Sequence, residues 1–447
     1  MVERFAAIPA VPAFVYKNRS YEYAWLVQQI VSARAAISAH NASSVFSIHG
    51  DYSPHAIGLF IALALERKTI VPITTNVENE VRSRRAAAEV QVAVTALETG
   101  LSFERISERP LEHPLLQFLA QRGHAGLVLF SSGSTGAPKA IVHDLETLIG
   151  GSSDRRTRRL TFVVFLMFDH IGGLNTLLNS LAMGATLVIP ERRDPESVAA
   201  LIAAHKVQVL PTSPSFLNLL LLARCHERYD LSSLKLITYG TEPMPQSLLR
   251  KLRETFRSAR FLQTYGTSET GIATTASLSS ESLFLKIDDP GTEWKVVDGE
   301  LWIRSRSQML GYLNEASPLA EGGWYPTGDL VEESRDGYLK IVGRLKEIIN
   351  VGGQKVLPAE VENVIMDVPG VQDALVRGEP NPITGQIVVA DVAADPSAAG
   401  DALVRSIRLA CRDRLEKFKW PVKIHIRESI GYGSRFKKVR LGEGTSS

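Results

Sequence analysis

The sequence predicts an α/β fold: a large N-terminal domain of layered, mostly parallel sheets and helices, followed by a small α+β C-terminal domain. Three observations lead there. Apolar runs rich in β-branched residues alternate with helical patterns, a rhythm that interleaves helices with parallel strands. The chain has 447 residues, more than one ordinary core serves at about 150 residues per domain. Around Trp294 the texture changes to short alternating segments with Asp-Gly turns.

Taken in order, "VFSIHG" reads as a strand before the helix candidate "PHAIGLFIALALER", and "TIVPIT" as the strand after it. "TLVIP" precedes the helix candidate "PESVAALIAAH", which leads to the strand "VQVLPTSP". Beyond Trp294, "EWKVVDGELWIRS" and "GYLKIVGRLKEIINV" are strand pairs turning at or beside Asp298-Gly299 and Asp336-Gly337. A helix "PAEVENVIMDV", a strand "QIVVADVA", a helix "ALVRSIRLACRDRLEKF" and a last strand "VKIHIRE" complete the small unit. The expected division is 1–343 for the core domain, 344–347 for a hinge and 348–447 for the C-terminal domain.

Composition narrows the function. With 45% hydrophobic and 22% charged residues the chain has ample core material, which argues against disorder. Its 50 basic and 48 acidic residues give a formal charge of +2 with no long run of one sign, so no footprint for nucleic acid is expected. The short basic patch "DRRTRR" reads as a solvated loop. The two cysteines, Cys225 and Cys411, stand far apart in helix-like stretches and read as buried thiols in a reducing compartment. "MVERFAAIPAVPAF" has no uninterrupted apolar core for a signal peptide, and no apolar segment reaches the roughly 18 residues a membrane span needs. A cytoplasmic protein without membrane insertion is expected.

The chemistry begins at "LVLFSSGSTGAPK", Leu127 to Lys139. Small residues let a backbone approach an anion closely, and converging N–H groups bind phosphate oxygens. Ser131, Ser132, Ser134 and Thr135 add hydroxyl donors, Gly133 and Gly136 give room, and Lys139 adds a mobile positive charge. The reading is a polyphosphate cradle after a strand. Neither GxxxxGK[ST] nor GxGxxG fits the spacing.

Three clusters follow in order: "QTYGTSETG" (Gln263 to Gly271), "WYPTGDL" (Trp324 to Leu330) and "GRLKEIINVGGQKVLPAEVE" (Gly343 to Glu362). With them, nearly the whole chain resembles the adenylate-forming superfamily of acyl-CoA synthetases, carrier-protein ligases, peptide-synthetase adenylation domains and luciferases. Activating a carboxylate with ATP requires holding adenine, ribose, a metal and the α-phosphate while an oxyanion attacks in line, so positioning and charge neutralisation dominate. Tyr265 offers a flat face to adenine, Gln263 an amide for its edge, and Gly266 room for the nucleotide. The resemblance implies that Thr267 bonds the α-phosphate, Glu269 ligates Mg²⁺, Asp329 and Arg344 hold the ribose, and Ile341 lies with them at the nucleotide.

"TYGTEPMP" (Thr238 to Pro245) resembles the family's loop beside the adenine, so Gly240, Thr241 and Glu242 are expected at the nucleotide and Tyr239 at the acyl side. "MFDHIGG" resembles its gate motif, with His170 beside the reacting carboxylate, able to donate a hydrogen bond and offset charge. Asp169 stands where amino-acid-activating relatives bind the substrate ammonium, in a register ambiguous by one residue. A C-terminal lysine is implied in catalysis. The spacing to Arg440 selects Lys437, with Lys438 as the competing register and only a mild effect expected on its replacement. Lys346 matches the hinge of a mobile small domain, and Gly352 and Gly353 would leave space for a thiol arm.

Three features depart from the family pattern: a short N-terminal end, Asn350 where luciferases carry a lysine, and "GSRFKKVR" in place of a GK motif. The expected activity is an ATP- and Mg²⁺-dependent ligase that converts a small carboxylic acid to an acyl-adenylate. It then passes the acyl group to CoA or to the phosphopantetheine of an acyl carrier protein. The rival readings are an amino-acid-adenylating enzyme, for which Asp169 would be diagnostic, and a regulatory nucleotide binder, which the full set of catalytic residue types disfavours.

Overall fold

Ser53, Asp194 and Ser213 each stand directly before a proline, and each opens a helix: Pro54–Leu65, Pro195–His205 and Pro214–Leu222. In all three the side chain accepts from the backbone N–H three residues on, and the proline gives up an N–H that had no helical partner. These helices connect strands whose neighbours are parallel. The computed structural model describes residues 1–131, 138–150, 156–398, 400–433 and 438.

Two seven-stranded sheets form the large domain. One runs in the order Arg260–Gln263, Leu236–Tyr239, Val209–Thr212, Thr161–Val163, Thr186–Ile189, Pro12–Tyr16 and Arg19–Glu22, and only its last pair is antiparallel. The other has a parallel centre of Gly126–Ser131, Thr69–Ile73, Val45–His49 and Val92–Leu97, with antiparallel strands at both edges. The helix Pro54–Leu65 is buried almost all round, as a helix between two sheets must be. Its Phe60 shares one apolar cluster with Phe46 of the second sheet and Phe14 of the first.

The change of texture near Trp294 marks a six-stranded antiparallel sheet. Its hairpin Thr292–Val297 and Glu300–Ser305 turns at Asp298 and Gly299, both at positive φ (51° and 81°), the twist-matched geometry that Asp-Gly favours. Its strand Leu339–Arg344 is followed within residues 345–348 by Ile349–Val351, the first strand of a separate five-stranded C-terminal sheet. That sheet has its own core, in which Val361, Val376, Val392 and Ile407 are fully or nearly fully buried. Its longest strand, Val371–Asn381, was not expected from sequence, because Gly378 and Pro380 break its pattern. Both cysteines are unpaired and buried. Among the described residues no helix is long and apolar enough to cross a membrane.

Candidate active site

Parallel strands end their carbonyl edges together, and loops leaving that edge converge on one crevice. Here Leu236–Tyr239 runs into Gly240, Thr241 and Glu242, and Arg260–Gln263 runs into the hairpin Tyr265–Thr267 and Gly271–Ala273. Both loops line a cleft of about 840 Å³, within the size range of small-molecule sites. Thr241 sits at φ +73°, a costly conformation for a β-branched residue, and its buried hydroxyl has no hydrogen-bond partner among the described residues. The Glu242 carboxylate accepts from the Ser215 N–H (2.7 Å) in the first turn of helix Pro214–Leu222.

The hairpin turn is built by its own side chains. Thr267 Oγ1 accepts from the N–H groups of Glu269 (3.2 Å) and Thr270 (3.1 Å). Gly266 is required because a Cβ there would lie 2.3 Å from the Gly271 carbonyl oxygen. From outside, His143 donates through Nε2 to the Ser268 carbonyl (2.7 Å), and the Met309 N–H donates to that of Glu269 (2.6 Å). Burial pushes the His143 pKa down to about 4, against the opposing pull of its backbone hydrogen bonds. The imidazole is therefore neutral at pH 7. Tyr312 donates its hydroxyl to Glu269 Oε1 (3.1 Å).

Asp329 and Arg344 face each other in register on adjacent antiparallel strands. One carboxylate oxygen of Asp329 pairs with Arg344 Nε (2.9 Å) and the other accepts from the Tyr265 hydroxyl (2.7 Å). Desolvation, then the Asp329 charge, raises the Tyr265 pKa well above its ordinary value. Each oxygen keeps a lone pair for a ligand hydroxyl. At the opposite wall, Ser131 pairs in register with Lys139, whose ammonium meets Glu315 (2.6 Å) above the Tyr312 ring.

His170 stands before the helix Ile171–Ala182, its Nδ1 accepting from the Gly172 N–H (3.4 Å). Gln263, Ile341 and Lys346 also line the cleft. Among the described residues no cluster of three or more His, Cys, Asp or Glu gathers anywhere. A cation at Glu269 would therefore have one protein carboxylate and take its remaining ligands from substrate phosphates and water, which suits Mg²⁺.

Some sequence expectations are not met. Tyr239 is 1% exposed and packs in the apolar cluster beneath the sheet, because strand alternation turns it away from the cleft that Thr238 and Gly240 line. Asp169, also buried, points to Arg84 (3.3 Å) and does not line the cleft. Gly352 and Gly353, expected on the thiol's approach and not at the nucleotide, form the exposed hairpin turn between Ile349–Val351 and Gln354–Val356, both at positive φ. Lys438 does line the cleft, but its ammonium is held by Asp373 (2.7 Å) and the Ala374 carbonyl (2.8 Å), and Tyr432 donates to the same carboxylate. Its replacement would leave a buried carboxylate short of its cation, a cost to the stability of the small domain. Ser132, Gly133, Ser134, Thr135, Gly136 and Lys437 lie outside the described residues.

Sequence reasoning passed over His143, Tyr312 and Asp373. Their importance lies in contacts with residues 125, 43 and 65 positions away in the chain, which no local pattern announces.

Residues 2–313 match the family described as AMP-binding enzyme, and residues 360–431 match the AMP-binding enzyme C-terminal domain. A long-chain-fatty-acid–CoA ligase of Mycobacterium tuberculosis is 31% identical over 324 residues, a stretch covering 68% of this chain and 64% of that ligase. A 2-succinylbenzoate–CoA ligase of Listeria monocytogenes is 25% identical over 416 residues, covering 89% of this chain and 85% of that one. The fold is shared with the anthranilate CoA ligase AuaEII, solved with anthranoyl-AMP: TM-score 0.80 at 19% identity, over 98% of this chain and 94% of that one.

Proposed function

The chain belongs to the AMP-binding enzyme family, and from that premise we propose an ATP-dependent ligase that turns a carboxylic acid into an acyl-adenylate and pyrophosphate, then transfers the acyl group to a thiol. CoA is the acceptor its relatives' names favour, with carrier-protein phosphopantetheine the alternative. The cytoplasm, where ATP and free thiols coexist, is the proposed location.

One observation carries the reading: the Tyr265–Asp329–Arg344 bonds, the Thr267–Glu269 turn, Lys139 and His170 line a single cleft. Asp329 accepts the ribose hydroxyls, oriented by Arg344 and Tyr265. Tyr265 and Gln263 hold the adenine beside Gly240, Thr241 and Glu242. Thr267 meets the α-phosphate, and Lys139 the outer phosphates. His170 fixes the acid's carboxylate for in-line attack, so the protein's share of catalysis is orientation and offset charge. Mg²⁺, held by Glu269 and the phosphates, would neutralise charge on the triphosphate. Lys437 is proposed as the lysine that closes on the reacting groups. The Asp169–Arg84 pair weighs against an amine-binding role and hence against an amino acid as substrate.

A panel of carboxylic acids assayed by ATP-dependent hydroxamate formation, then CoA against carrier protein, tests this. Glu269→Gln should raise the Mg²⁺ requirement and add about 2–4 kcal/mol to the adenylation barrier, the scale of one preorganised electrostatic contact. Normal adenylation by this variant at limiting Mg²⁺ would remove Glu269 from the metal site.

A further inference from the structure

The cleft continues past His170 along the helix Ile171–Ala182, and its two walls differ in chemistry. On the helix side it is lined by Asn175, Thr176, Asn179 and Ser180, with Gly172 and Met183 at the ends. Their spacing of three and four residues makes one stripe of the helix surface. The leucines 174, 177, 178 and 181 occupy the other face and are buried in the core. The facing wall is largely apolar: Phe162, Val209, Pro211, Leu236 and Leu262, alternate residues on neighbouring strands, with Thr238 following Leu236 on the same face.

Two details indicate that a ligand completes the polar wall. Ser180 on the helix (1% exposed) and Thr212 at the end of strand Val209–Thr212 (2%) border the cleft, and their buried hydroxyls have no hydrogen-bond partner among the described residues, a state native proteins seldom leave unanswered. Asn179 donates to Asn175 Oδ1 (2.8 Å), so the pair is braced with amide groups along the cleft. At the far end the Arg158 N–H donates to the Met183 carbonyl (2.9 Å), fixing a cleft-lining arginine there with no carboxylate partner among the described residues. Gly172 to Met183 spans roughly 16 Å at the helical rise.

Resting on the ligase reading above, we propose that the acid substrate is an amphipathic molecule with an apolar body against the sheet wall and a second oxygen-bearing group at its far end, an anion facing Arg158. A plain hydrocarbon tail would set methylenes against the Asn175 and Asn179 amides and offer them no hydrogen bond. A site built from such groups discriminates strongly against analogues that lack the oxygen.

The test measures binding apart from turnover. Dodecanoate, its ω-hydroxy analogue and dodecanedioate are titrated calorimetrically into the full chain, and pyrophosphate release with ATP and Mg²⁺ is followed separately. The diacid should bind at least tenfold more tightly than dodecanoate, with the hydroxy acid between. Arg158→Gln, at an exposed position that leaves the fold intact, should erase the diacid's advantage over the hydroxy acid while both still exceed dodecanoate. Asn179→Leu should narrow the gap between hydroxy acid and dodecanoate. Equal or tighter binding of dodecanoate, or no binding of the diacid, overturns the proposal. The expected binding order without pyrophosphate release from any acid supports this pocket chemistry and counts instead against the ligase reading.

Discussion

His143 lines no part of the cleft, yet the turn that carries Thr267 and Glu269 hangs on it. Its pKa, depressed by burial to about 4 from an ordinary 6.5, ties stability to pH. Below pH 6.5 the unfolded chain takes up a proton that the native imidazole refuses, so stability is full above 6.5 and falls as pH drops toward 4. The loss is about 3 kcal/mol over that window. Denaturant titrations from pH 7 to 4 should show it, and His143→Gln should flatten the slope; an unchanged slope would place the titration elsewhere. Tyr265→Phe removes one of the two bonds orienting Asp329. A hydrogen bond to a charged group is worth about 1.5–3 kcal/mol, so KM for ATP should rise ten- to a hundredfold with the acid's KM little changed. Tyr265, Asp329 and Arg344 could be grouped from sequence because their motifs are local. Tyr239 and Asp169 were misjudged because neighbours distant in sequence, the core beneath the sheet and Arg84, decide where those side chains point.

Among elements, what was legible is what local chemistry dictates. Ser53, Asp194 and Ser213 with their prolines fix helix starts, and Asp298-Gly299 fixes a hairpin. The strand Val371–Asn381 was hidden because Gly378 and Pro380 are tolerated only through its long pairing with Gly385–Ala394. Strain at the end of strand Leu236–Tyr239 gives the element-scale prediction. Thr241, at the cleft, holds φ +73° at a cost on the order of 1–3 kcal/mol, and its buried hydroxyl has no partner among the described residues. Thr241→Gly should move the denaturation midpoint upward while weakening nucleotide binding. A variant that gains stability with unaltered ATP affinity would mean the strain serves no ligand.

Across the whole molecule, the small domain meets the large one through polar contacts: Arg250 with Asp367 (3.2 Å) and Asn218 with the Gln372 carbonyl (3.2 Å). Lys438 and Asp373 lie at the same cleft boundary as Asn218 and Glu242. Removing one partner of a buried pair typically costs about 3–5 kcal/mol, so Lys438→Ala should lower the stability of the C-terminal domain measurably, with Lys438→Met no better. Few apolar groups need to be exposed for such an interface to part, and polar contacts between domains are the kind that movement can exchange. Between the strands of the two domains lie only residues 345–348, which include the short 3₁₀ turn Leu345–Glu347. The two half-reactions proposed for one nucleotide site would require different groups to face it in turn, and a hinge here would absorb the φ/ψ change. Lys346→Pro, with φ fixed, should leave adenylate formation measurable by pyrophosphate exchange and block thioester formation from supplied acyl-adenylate and CoA. Because Arg344 stays anchored to Asp329 in the large domain, nucleotide binding should survive the substitution. Equal loss of both half-reactions would show that Lys346 serves the nucleotide and not the movement.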